Sequence, residues 1–98
     1  MIRHAIQKDF GVMQALLHES RSVHLPRVLR IRKELAAGKR LDEKDVAFMH
    51  EVFKAAGHLK PFVDRHLEFQ EFYAREIMLL HEITALALAN ELEPRVFN

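Results

Sequence analysis

The chain has 98 residues, with 15 Lys and Arg against 14 Asp and Glu, seven His and no Cys. A near-neutral charge excludes a protein that is cationic over its whole surface, such as a histone-like coat on nucleic acid. The absence of cysteine excludes a disulfide framework, a zinc ribbon and a thiol nucleophile. Three Gly and three Pro are too few for a turn-rich all-β chain. We therefore expect residues 1–98 to form a single helical domain.

Apolar residues recur at helical spacing in four segments, which predicts an all-α fold, a small up-and-down bundle of about four helices. The predicted helices cover approximately residues 3–23, 26–37, 42–56 and 61–91. Pro26 fits either the first turn of the second helix or a kink in one continuous helix. Gly38 suits a left-handed cap after the second helix, Asp42 suits a side-chain cap of the third, and Gly57 is expected to end the third.

The predicted fourth helix is the longest, and about 30 residues would make a rod of roughly 45 Å that shorter helices cannot cover. Its apolar residues also span a wide arc. One interpretation is that helices 1 and 3 flank it and the C-terminal tail folds back over it. The interpretation that we favour is a second copy of the same surface about a two-fold axis. This predicts a homodimer or higher homo-oligomer formed through Leu79, Leu86, Leu88 and Phe97.

Several ionisable residues fall on predicted apolar faces, where an unpaired charge costs several kcal/mol. They are Asp9 and His24 on the first helix, Arg32 on the second, and His66 and Glu76 on the fourth. The first interpretation is an interior ion pair between Arg32 and Glu76. Replacement of Glu76 by Leu should then be tolerated or stabilising if Arg32 can reach solvent, and should cost about 3–5 kcal/mol if Arg32 stays buried and unpaired. The alternative is a transition-metal site built from some of Asp9, His24, His66 and Glu76. The Glu-x-x-His pair of helical di-iron sites does not occur in this sequence.

The neutral total hides an uneven distribution of charge. Residues 20–41 carry seven basic side chains and one acidic, whereas residues 42–98 carry eleven acidic and six basic. Arg27, Arg30 and Lys33 fall on one predicted exposed face of the second helix. That face could bind nucleic acid weakly, but it has no exposed aromatic residues to stack on bases. A solvated face, or one that meets the acidic half of another subunit, is the interpretation that we favour.

Catalytic motifs are lacking, because no serine stands in a nucleophile-elbow context and no glycine-rich loop could hold a phosphate. The sequence shows no secretory signal and no apolar run of the roughly 20 residues that cross a membrane, so we expect a cytoplasmic protein. The function expected is a non-enzymatic interaction or regulatory module that binds itself or another protein. The alternative is a metal- or cofactor-binding bundle, and the third is weak nucleic-acid binding.

Overall fold

The computed structural model describes the backbone of residues 2–94 and the side chains of residues 10–94. This part of the chain is mostly helical and has no strand, which confirms the predicted all-α class. The helices are α1 (Ile2–Glu19), α2 (Leu25–Ala36), α3 (Glu43–Arg65) and α4 (Gln70–Leu92). None of these helices has the length and apolar character needed to cross a membrane.

The helices form three rods, and the prediction of about four separate helices is therefore wrong. A π-helical segment, Ser20–His24, joins α1 to α2 without a break, and we call α1, this π segment and α2 together the first rod. The second rod is α3, and the third is α4, which a short 3₁₀ turn (Leu67–Phe69) precedes.

The three rods run up, down and up. The first rod and α4 are parallel, because Ser20 is hydrogen-bonded to Glu76 and, farther along both rods, Leu35 is hydrogen-bonded to Asn90. The described chain is elongated, with extents of 67 × 20 × 16 Å and a radius of gyration of 16.5 Å. A compact domain of this length would have a radius of about 13 Å. The shape therefore leaves much helix surface uncovered.

The end of α3 is where sequence and structure differ most. Gly57 was expected to end this helix and Pro61 to start the next, yet α3 continues through both to Arg65. Both residues are exposed, while Leu59 and Val63 are buried on the inner face. Packing of that face outweighs the cost of about 1 kcal/mol for Gly and about 3 kcal/mol for Pro in a helix.

The corrected boundary removes one premise of the predicted oligomer. Helices α3 and α4 each have 23 residues, which corresponds to about 35 Å. The last helix is therefore no longer than its neighbour, and its length gives no argument for a second copy. Any such argument has to come from the surface that α4 leaves exposed.

Local signals did place the connection between α2 and α3 correctly. Gly38 has a φ of +91°, and the Lys39 amide donates to the Glu34 carbonyl, which is the hydrogen bond of a glycine-capped helix end. Asp42 accepts a hydrogen bond from the Asp45 amide at 2.7 Å, as expected for the cap of α3. Both features depend only on neighbouring residues.

The buried apolar residues form two clusters along the length of the rods. The larger cluster joins α2, α3 and α4 and consists of Val28, Ile31, Leu35, Met49, Val52, Leu80 and Ile83. The smaller cluster joins α1 and α3 and consists of Met13, Leu59 and Val63, with Tyr73 and Phe69 packed against it. The π segment lies between the two clusters along the first rod.

We predict that Gly57→Ala stabilises the protein by about 0.5–1 kcal/mol, because alanine has the higher helix propensity. A Cβ atom at Gly57 would meet no other atom within 4 Å. The matched control is Gly38→Ala, which also has free space but a φ of +91° and should destabilise by about 1 kcal/mol. Urea denaturation measures both changes. Loss of stability in Gly57→Ala would contradict a continuous α3.

Candidate functional site: a cleft beside the π-helical segment

Pro26 explains why the first rod contains a π segment. In a regular α-helix its ring would clash with the carbonyl of Ser22, four residues earlier, and it has no N–H to donate. The structure has a wider turn here, in which the Leu25 amide donates to the Ser20 carbonyl five residues back. The helix therefore continues through Pro26, and neither a break nor a separate second helix results.

A cleft opens where the π segment faces α3 and α4. Its lining outlines about 560 Å³ of space outside the protein atoms, and this figure includes open solvent. Most of the lining is aliphatic and comes from both clusters, including Leu16, Val28, Val52, Leu59, Leu79 and Leu80. The cleft thus occupies the gap between the two buried clusters. An apolar lining with a few polar groups is the composition typical of small-ligand sites.

The polar groups of the cleft lie on its π-helical side and on α4. Ser20 Oγ donates to Glu76 Oε1 at 2.7 Å, and Glu76 Oε2 has no hydrogen-bond partner among the described residues. His24 Nε2 is 3.7 Å from Glu19 Oε1, and the His24 ring packs edge-on against Phe48 with centroids 5.9 Å apart. No Lys or Arg lines this cleft. The lining therefore carries two carboxylates and no permanent positive charge.

The predicted ion pair between Arg32 and Glu76 is not formed. Arg32 Nε instead donates to Glu82 Oε1 at 3.1 Å, and both side chains are close to half exposed. Glu76 lies level with Ser20, and the twelve residues from Ser20 to Arg32 span about 18 Å along the first rod. Glu82 is closer to the level of Arg32 because α4 runs parallel to that rod.

The four candidate metal ligands do not form one group. His24 and Glu76 line the cleft, whereas His66 lies at the end of α3, with its ring 5.4 Å from that of Phe10. The Asp9 side chain is outside the described residues. Among the described residues, no group of three or more His, Asp or Glu is close enough together to hold a metal ion. The structure thus adds no support to the metal-binding hypothesis.

The predicted basic face of α2 is also smaller than expected. Arg27 lies over the Phe48 ring at 4.3 Å and 3.5 Å from Asp45 Oδ1, so it is part of the contact between α2 and α3. Arg30 and Lys33 are exposed. Two exposed cations make a weak site for a phosphate backbone.

The residues predicted for self-association fall on different sides of α4. Leu79 lines the cleft, and Leu86 packs against the larger cluster, so both are turned inward. Leu88 is 59% exposed. Phe97 lies outside the described residues.

Ser20 is the site residue that the sequence analysis missed. It stands three residues after Leu17 and four before His24, so the helical spacing that placed those two residues inward also applies to it. That spacing was a usable signal. The π turn keeps Ser20 on the inner side, where its hydroxyl reaches Glu76.

No family model matches this chain, and searches of curated proteins and of solved structures also find no match. The functional argument therefore depends on the geometry of the described residues.

We predict that Glu76→Leu changes the free energy of unfolding by less than about 1 kcal/mol, because Arg32 keeps Glu82 as its partner. Urea denaturation of double-mutant cycles separates the two contacts. We expect a coupling energy of about 1 kcal/mol between Ser20→Ala and Glu76→Leu. The coupling between Arg32→Leu and Glu76→Leu should be within about 0.3 kcal/mol of zero. A coupling energy above about 1 kcal/mol between Arg32→Leu and Glu76→Leu would contradict this prediction and support the interior ion pair.

The raised pKa of Tyr73 predicts that the free energy of unfolding falls in alkaline solution. Burial raises the pKa of its hydroxyl, which donates to the Ala56 carbonyl at 3.2 Å beside the cleft. Below the ordinary tyrosine pKa of about 10 both folded and unfolded chains keep the proton. As the pH rises further the unfolded chain releases its proton first, so stability falls until the folded pKa is passed.

The comparison variant is Tyr73→Phe, which lacks the titrating hydroxyl. Between about pH 9 and pH 11 the unfolding free energy of the wild type should fall more steeply than that of the variant. Urea denaturation at a series of pH values measures this difference. Parallel curves would contradict a raised Tyr73 pKa.

Proposed function

We propose that this protein is a helical interaction module that associates with a second copy of itself through the outer face of α4. The observation that carries the proposal is a row of six exposed residues on that face, which we call the outer seam. Its members are Ala74, Met78, His81, Ala85, Leu88 and Leu92.

The spacing of the outer seam is that of a coiled coil. Successive members are four, three, four, three and four residues apart, which is the alternation of the two core positions of a heptad repeat. The row runs along about 27 Å of helix. A helix with this pattern packs against another helix that carries the same pattern.

Exposure of the large seam residues supports an occupied interface. Met78 is 71% exposed, Leu88 59% and Leu92 73%. They lie on the side of α4 opposite its buried residues Leu80 and Ile83. Three large apolar side chains exposed on one helix face, with Ala74 and Ala85 in the same row, favour a protein interface at this surface.

The order of large and small residues favours an antiparallel pair. If the two-fold axis passes level with Ile83, Met78 faces Leu88 of the second copy. In the same arrangement Ala74 faces Leu92, and His81 faces Ala85. Small residues then face large ones at both ends and beside the axis, which allows close packing of a self-complementary surface.

We predict that Met78→Lys and Leu88→Lys each weaken self-association by at least about 100-fold, because each places an unpaired charge in an apolar interface. Sedimentation velocity or light scattering over a range of concentrations measures the change. Leu67→Lys is the matched control. Leu67 is 77% exposed but lies in the 3₁₀ turn, outside the seam, so this variant should associate like the wild type.

The orientation has a separate test. Met78→Lys combined with Leu88→Glu in one chain should associate more tightly than either single variant, because the antiparallel pair brings the two new charges together twice. A parallel pair would place like charges opposite each other and gain nothing. A wild-type monomer at micromolar concentration, or equal disruption by Leu67→Lys, would overturn the proposed function.

A further inference from the structure

We propose that the cleft beside the π segment is a binding site for a small apolar molecule that carries one ammonium group. This site is independent of self-association, since Glu76 and the outer seam lie on opposite sides of α4. The proposal follows from three features of the described residues: the shape of the cleft, its aliphatic lining and the arrangement of its charges.

The shape and lining select the apolar part of the ligand. The π segment contacts α4 through Ser20 and α3 through His24, whose ring lies against Phe48, and the cleft opens beside these two contacts. Ala55 and Ala56 on α3 line the cleft opposite this segment, and their short side chains leave the space between the clusters unfilled. A short alkyl or aryl group in this space would remove further apolar surface of Leu16, Leu59 and Leu80 from water.

The charges select the polar end of the ligand. Glu76 and Glu19 line the cleft and no Lys or Arg does, so an anion would meet repulsion and a cation attraction. Ser20 satisfies Oε1 of Glu76 and holds the carboxylate in place, while Oε2 has no partner among the described residues. An ammonium group at the solvent-accessible edge of the cleft would donate a charge-assisted hydrogen bond to that oxygen.

The first experiment compares three probes of equal chain length on the full-length, ¹⁵N-labelled protein. Hexylammonium should produce saturable shifts in the amide signals of residues 20–25 and 52–59. Hexanol, which has the same apolar chain without the charge, should bind at least about tenfold more weakly. Hexanoate should bind more weakly still. Equal affinity for hexanol and hexylammonium, or an absence of saturable shifts at these residues, would overturn the proposal.

The second experiment tests whether the carboxylate of Glu76 binds the ammonium group. Glu76→Gln keeps an acceptor for the Ser20 hydroxyl and should weaken hexylammonium binding at least about tenfold. Glu82→Gln, on the same helix but outside the cleft, should leave binding unchanged. Equal losses in both variants would mean that hexylammonium only screens the acidic surface, which contradicts the proposed site.

A third variant blocks the apolar part of the site. Ala55→Leu adds side-chain volume to the cleft wall and should abolish the binding of hexylammonium and hexanol alike. Circular dichroism and urea denaturation test whether Ala55→Leu remains folded. If this variant is unfolded, the comparison of Glu76→Gln with Glu82→Gln tests the proposal. Undiminished binding of hexylammonium to folded Ala55→Leu would place the probe elsewhere.

Discussion

The missing backbone donor of Pro26 is the constraint on which the middle of this structure depends. A helix that meets an internal proline has to break, kink or widen. Here it widens, because Met13 on one side of the π segment and Val28 on the other are both buried against the same neighbouring rods. The wider turn leaves Ser20 and His24 beside a space that neither buried cluster fills. One residue thereby accounts for the continuity of the first rod and for the position of the cleft.

In α3, tertiary packing also outweighs residues with low helix propensity, but there the helix stays α-helical and does not widen. Gly57 and Pro61 both disfavour a helix, yet they stand on the exposed face, where no neighbouring rod obstructs the backbone. The inner face supplies the stabilising contacts through Val52, Leu59 and Val63. The three-rod arrangement that follows leaves one whole face of α4 in solvent. The outer seam is thus a product of how few rods there are to cover α4.

Electrostatic contacts connect the rods instead of forming a buried site. The basic α2 lies between the acidic start of α3 and the acidic α4, so Arg27 meets Asp45 and Arg32 meets Glu82 within the chain. Two of the basic residues of α2 are therefore paired with acidic residues of the same chain. These pairs are partly exposed, which limits each to a small contribution to stability. Glu76 is the exception, since its partner is a serine hydroxyl and its second oxygen has no partner within the part of the chain that the structure describes.

The sequence by itself determined the helical class and the caps at Gly38 and Asp42. Each of these depends on residues within a few positions of one another. It also indicated that Glu76 and His24 are turned inward. Only the tertiary structure decided the number of rods, the partner of Arg32 and the side of α4 that is left exposed. Helical periodicity defines an apolar arc on each helix, but it does not say which neighbour covers which part of that arc. For α4, whose apolar arc is wider than two neighbouring rods can cover, that choice separates the cleft residue Leu79 from the seam residue Leu88.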